Sequence, residues 1–257
     1  MNDVRALFDL SGRTALVTGC RRGIGLAIAE TLASAGADVI GASAHLEASG
    51  STVETAVRAA GRRFTGYRVD FADRGAVADF ATTVLGEHDR IDILVNNAGT
   101  IARHPAEEYP DEAWDRVLTV DLDAQFVLTR EVARAMLPRG YGRVVFVASV
   151  LSVQGGINVA GYAAAKSGIA GLTRALSNEW VGRGITVNAL APGYVDTDNT
   201  EALRGDPQRY QAILDRIPAG RWGVPGDIAG AALFLCAPAS DYVSGVLLPV
   251  DGGWLAR

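Results

Sequence analysis

Short apolar runs alternate with longer amphipathic ones along the whole chain. Thr14–Thr18 is a compact β-type run ending at glycines, and Gly25–Ala33 follows with Leu26, Ile28, Ala29 and Leu32 at mostly helical spacing. Ala37–Ser43 reads as a second strand despite its glycine, and a helix is expected within Ser51–Ala60. Phe64–Asp70 is a third strand, Asp73–Leu85 a helix with Val77, Phe80 and Val84 on one face, and Ile91–Val95 a fourth strand. Pro110–Val117 and Asp123–Leu137 are helical, the latter stopped by Pro138. Arg143–Ala148 is the most β-like run. Tyr162–Val181 is a long helix of small residues, and Ile185–Leu190, Ile228–Ala237 and Val246–Val250 add a strand, a helix and a last strand.

Strands that are nearly all apolar, alternating with helices, imply a parallel sheet covered on both faces. The expected class is α/β, a Rossmann-type doubly wound sheet with right-handed crossovers. No repeat or linker divides the chain, so 1–257 reads as one domain. The least patterned stretch, 196–226, holds Pro207, Pro218 and Pro225 and is expected to be a mobile loop over a site.

Composition narrows the function. Apolar residues make up 49% and charged ones 21%, enough for a large core and too apolar for a disordered chain. A net charge of −5 disfavours a polyanionic partner, so no nucleic acid is expected. Cys20 and Cys236 stand far apart, and His45, His88 and His104 do not cluster, so neither disulfide nor metal is expected. Met1-Asn2-Asp3-Val4-Arg5 lacks the layout of a signal peptide, and no apolar run is long enough to span a bilayer. The expectation is a soluble cytoplasmic protein.

Between the first strand and first helix lies Thr18-Gly19-Cys20-Arg21-Arg22-Gly23-Ile24-Gly25. Glycine permits a left-handed backbone there and lets the main chain approach a pyrophosphate, which the helix amides and dipole favour. The spacing Gly-x₃-Gly-x-Gly differs from the commoner Gly-x-Gly-x-x-Gly. Further on, Tyr162 and Lys166 are four apart on one helix and share a face. A phenol titrates near pH 10 on its own, and an adjacent ammonium favours the phenolate, bringing it toward working range. Ser149 closes a strand at its carboxyl end, where open α/β sheets bind ligands, and its hydroxyl can donate to a carbonyl oxygen gaining charge.

These features, with Asp70, Asn96-Asn97-Ala98-Gly99, Pro192-Gly193 and Asp251-Gly252-Gly253 at their intervals, resemble the short-chain dehydrogenase/reductase family over almost the whole chain. The resemblance implies that Ser149 polarises the substrate and Tyr162 exchanges the proton. Lys166 would lower the phenol's pKa and hold the nicotinamide ribose. It implies cofactor contacts at Gly19, Arg21, Arg22, Gly23, Ile24, Gly25, Ser43, Asp70, Phe71, Asn97, Ala98, Gly99, Tyr162, Lys166, Pro192, Gly193, Val195 and Thr197. Where the family usually has Asn, in a context like Val120-x-Leu122-x₃-Phe126, this chain has Asp121. An ionised Asp only accepts hydrogen bonds and opposes a phenolate, so its catalytic role is open between a shifted pH optimum and a backbone contribution.

An NAD enzyme of this layout normally ends its second strand with an acid that holds the ribose 2′-hydroxyl. Ser43 stands there, while Arg22, with Arg21 behind it, suits a 2′-phosphate, so NADP is expected over NAD. Ser152–Ile157, Asn178–Trp180, Asp215–Gly223 and Asp251–Arg257 resemble the sugar-acid members, those acting on gluconate or 2-dehydro-3-deoxygluconate. Arg103, His104 and Gln154 are then candidate substrate contacts. Gly19–Ser43 resembles instead the 3-oxoacyl-carrier-protein reductases, and Asp121 keeps a catalytically silent nucleotide-binding regulator as a further alternative. The family's habit and the small residues of Tyr162–Val181 suggest a homotetramer.

Overall fold

The computed structural model describes residues 3–257. Met1 and Asn2, part of the stretch read for a signal peptide, lie outside the described residues. Seven strands form one parallel sheet: β1 Thr14–Thr18, β2 Asp38–Ser43, β3 Phe64–Arg68, β4 Ile93–Asn96, β5 Gly142–Val147, β6 Ile185–Pro192 and β7 Leu247–Val250. Their order is β3-β2-β1-β4-β5-β6-β7. The order reverses between β1 and β4, the place where doubly wound sheets open a crevice at their carboxyl ends.

Nine α-helices connect and cover the strands among the described residues. They are α1 Gly23–Ser34, α2 Thr52–Ala59, α3 Arg74–Glu87, α4 Asp111–Leu118, α5 Ala124–Met136, α6 Ala160–Trp180, α7 Glu201–Arg204, α8 Pro207–Leu214 and α9 Pro225–Cys236. Successive strand side chains point to opposite faces, so adjacent residues serve different cores. Leu16, Leu94 and Phe146 pack on one face with Val77, Phe80, Leu128 and Ile169. Val17, Ile93, Val95 and Val145 face the other way, onto Ile28, Leu32, Ile228 and Leu235. Each such side chain, fully buried, contributes about 1.5–3 kcal/mol. Pro249 sits on the edge strand β7, where a missing backbone donor is tolerated.

Two features depart from the sequence pattern. Between α4 and α5 the chain does not break but runs through a π-helical turn, Thr119–Asp123. The segment 196–226 carries α7 and α8. The latter is capped by Asp206, whose side chain accepts from the amides of Gln208 and Arg209, with Pro207 at its first turn. Ile213, Ile217 and Trp222 from this segment join Val150 and Trp254 in a third apolar cluster. Trp180, Trp222 and Trp254 are all buried, and both cysteines are free, buried thiols. No helix among the described residues is long and apolar enough to cross a membrane. No group of His, Cys, Asp or Glu among them is placed to hold a metal ion.

Candidate active site

The glycine turn is built for close approach. Gly19 and Gly23 adopt φ of +65° and +58°, which side-chain-bearing residues rarely do. Gly25 is at helical φ, but a Cβ there would lie 2.3 Å from the Gly19 carbonyl oxygen and 2.4 Å from Asn97 Nδ2. Asn97 fastens the end of β4 to this turn, its Nδ2 donating to the carbonyls of Thr18 and Gly19 at 3.0 and 3.1 Å. Thr18 Oγ1 accepts from the amides of Asn97 and Ala98, both at 3.0 Å. The first turn of α1 has no side-chain cap, so its amides remain available to an anion.

At the end of β2, Ser43 is buried, and its Oγ accepts from the Arg21 amide at 3.3 Å. No acid occupies that position. Arg21 pairs with Glu47 at 2.9 Å, and Arg22 pairs with Asp198 at the start of segment 196–226. These are exposed, solvent-screened pairs, which a phosphate dianion can replace.

The opposite wall carries the residues expected to do the proton chemistry. Ser149 follows β5 and caps a 3₁₀ turn, its Oγ accepting from the Leu151 amide at 3.1 Å. Tyr162 and Lys166 lie on α6, with Lys166 Nζ 5.4 Å from the centre of the Tyr162 ring. Nζ donates to the Val147 carbonyl at 2.9 Å and lies 3.3 Å from Asp121 Oδ2. Burial pushes the Tyr162 phenol above its ordinary value, and Asp121 adds to that rise. Lys166 is the main influence pulling it down, helped by Ser149 and Arg103. Burial works hardest against the Lys166 ammonium, but Asp121 and Tyr162 together outweigh it, so the amine stays above the usual lysine range. Burial raises the Asp121 carboxyl, with Lys166 and the Thr100 amide opposing. The lysine therefore acts in the expected direction, but the net shift of the phenol in this structure is upward.

Both walls face one cleft of about 450 Å³. Every residue expected to contact the cofactor lines it, as do Ser149 and Asp121. The sequence reading missed Ala44, His45, Thr100, Arg116 and the stretch Asp198–Thr200, which also line it. The Thr197/Thr200 capping box was the legible signal for that last stretch. Arg103, His104 and Gln154 are not part of this lining. Arg103 Nη2 donates to the Asn199 carbonyl at 2.7 Å, and the His104 ring packs edge-on against Tyr109.

A dinucleotide fits what the residues offer: a glycine turn that a Cβ would block, uncapped helix amides, and one cleft whose lining includes both Ser43 and Tyr162. A doubly wound sheet with this turn at its switch point, facing a serine, a tyrosine and a lysine, defines a class of nicotinamide-dependent oxidoreductases. A family model described as Enoyl-(Acyl carrier protein) reductase matches residues 19–255. The chain belongs to this family, the short-chain dehydrogenase/reductases. It is 56% identical to a 2-dehydro-3-deoxy-D-gluconate 5-dehydrogenase of Pseudoalteromonas atlantica, over 97% of this chain and 98% of that one. A Beutenbergia cavernae protein solved with bound NADP superposes with a TM-score of 0.94 at 51% identity, covering 98% of this chain and 100% of the other. A Burkholderia cenocepacia gluconate 5-dehydrogenase, in complex with NADP and tartrate, gives 0.94 at 37% identity, covering 99% and 100%.

Proposed function

We propose that the protein transfers hydride between NADP(H) and a secondary alcohol or ketone of a sugar acid of the gluconate or 2-dehydro-3-deoxygluconate type. The reaction type is carried by one observation, the lysine ammonium held against the Tyr162 ring in the same cleft as the glycine turn. The substrate class is supported by the similarity, over nearly the full length of both chains, to dehydrogenases of these sugar acids. NADP is supported by its presence in similar structures and by Ser43 standing where an acid would repel a 2′-phosphate.

When bound, the nicotinamide supplies the hydride acceptor or donor. Gly19, Gly23 and Gly25 with the amides of α1 would hold its pyrophosphate, Arg22 and Arg21 would pair with a 2′-phosphate, and Lys166 would hold the nicotinamide ribose. Ser149 donates to the substrate oxygen. In oxidation the Tyr162 phenolate takes the hydroxyl proton, and in reduction the phenol returns it. Arg103, beside the cleft and close enough to influence Tyr162, receives the sugar-acid carboxylate. Segment 196–226 moves over the bound ligands. The working form is a cytoplasmic homotetramer.

Tyr162→Phe tests the proton role. Its turnover should fall at least about a hundredfold, with NADPH binding retained, since acid–base groups contribute ~10²–10⁴-fold. A variant keeping more than about a tenth of the wild-type rate refutes the assignment. Arg103→Ala should raise KM for sugar acids, and an unchanged KM places the carboxylate contact elsewhere.

A further inference from the structure

Asp121 is a carboxylate with no exposed surface, in the π-helical turn between α4 and α5. π-Turns of this kind recur at functional sites. Its Oδ1 accepts from the Thr100 amide at 2.7 Å. Its Oδ2 lies 3.3 Å from Lys166 Nζ, itself only 3% exposed, and has no other polar partner. A Cβ at Gly99 would stand 3.2 Å from Oδ2 and 3.6 Å from Nζ, so the main chain walls the pair on that side. Two charges this deep hold only because each compensates the other.

The consequence falls on Tyr162. Lys166 is the cation that favours the phenolate, and a carboxylate beside Nζ opposes that field. Ser149 and Arg103 also favour the phenolate, each more weakly than Asp121 opposes it. Tyr109, from the segment after β4, feels the same negative charge and is uncharged at neutral pH. Arg103 of that segment acts on Tyr162, and Arg116 of α4 lines the cleft, each farther from this pair than hydrogen-bonding reach.

We propose that Asp121 is a positioning residue that sets the pH range of catalysis, its carboxylate sharing the Lys166 ammonium and so holding Tyr162 in the protonated form to higher pH. This rests on the reading of Tyr162 as the proton-exchanging group. The enzyme is thereby biased toward alkaline pH when it oxidises an alcohol, and keeps its proton donor at neutral pH when it reduces a ketone.

The test is the pH profile of kcat/KM for the oxidation of a sugar acid by NADP in Asp121→Asn, beside the wild type. Asn keeps the acceptor for the Thr100 amide and removes the charge. The apparent pKa of the rising limb should move about one unit or more toward acid, as expected for loss of a neighbouring like charge. Below that limb the variant should then be faster by about tenfold at the same pH. Asp121→Ser should shift the limb the same way if Asn is poorly tolerated. NADPH titration reports whether each variant keeps its cofactor site. Profiles matching the wild type overturn the proposal. So does loss of NADPH binding in both variants, which marks Asp121 as structural. If instead Tyr162→Phe remains active, the underlying reading fails, whatever the Asp121 variants do.

Discussion

Gly25→Ala adds a single methyl group where the glycine turn meets β4. That methyl would sit 2.3 Å from the Gly19 oxygen and 2.4 Å from Asn97 Nδ2, inside any tolerable contact. Overpacking of this kind costs about 1–3 kcal/mol. Displacing Asn97 also removes its donations to Thr18 and Gly19, each worth about 0.5–1.5 kcal/mol. A combined loss of about 2–6 kcal/mol falls within or below the about 5–15 kcal/mol by which domains are typically stable, so a folded population remains to be melted. It should lower Tm by about 4–24 °C, at about 2–4 °C per kcal/mol for a chain of this size. The same methyl blocks the turn against a pyrophosphate, so the added stability that NADPH confers at saturation, about 2.7 kcal/mol at a hundredfold excess over Kd, should vanish. Gly86→Ala is the control. It lies in α3 at helical φ with nothing within 4 Å of its built Cβ, and should stabilise by about 0.5 kcal/mol. Melting curves of both variants, with and without NADPH, read the difference. A Gly25→Ala protein that melts with the wild type and is equally stabilised by NADPH would refute the account of the turn.

Three other outcomes follow from the same structure. Because the net shift of Tyr162 is upward, oxidation, which needs the phenolate, should accelerate from neutral to alkaline pH, and reduction should hold through neutrality and decline only above that value. An oxidation optimum on the acid side of neutrality contradicts this. Arg22→Ala should lower kcat/KM with NADP about ten- to a hundredfold and leave NAD use nearly unchanged, and an undiminished NADP reaction rules the contact out. Asp227 accepts twice from Arg221 and once from the Val224 amide, which hold its carboxyl near 2. A depressed carboxylate stabilises above its unfolded value and loses that stability as pH falls through its folded one. With the partial exposure of both groups, Asp227→Asn should therefore cost only about 1 kcal/mol at pH 7, shrinking between pH 4 and 2, as urea melts at both ends of that range will show.

The parallel sheet was legible because its central strands are buried on both faces and so read as continuous apolar runs. Leu16, Val17, Leu94, Val95 and Phe146 could be assigned from composition alone, and β3, mostly exposed at an edge, was carried by its neighbours' rhythm. The convergence of the candidate cofactor and catalytic residues on one cleft was legible because such chemistry demands fixed spacings: a glycine at each close approach, and four residues from tyrosine to lysine. The π-turn was not, since it is an extra residue absorbed between two ordinary helices and leaves no mark on the apolar period. Nor were the helices of 196–226, too short to show a periodic face, although Asp206-Pro207 is a helix start that the prolines around it obscured. The ion pairs of Arg21 with Glu47 and Arg22 with Asp198 depend on tertiary placement that spacing does not encode.

Initial rates of nicotinamide oxidation or reduction decide the activity, with purified protein offered hexonates, deoxy-ketohexonates and acyl thioesters with each cofactor. A sugar acid of the gluconate or 2-dehydro-3-deoxygluconate type should give the highest kcat/KM, with NADP(H) ahead of NAD(H), and Tyr162→Phe should abolish it. Turnover of an acyl thioester with no response to any sugar acid would contradict the proposed activity.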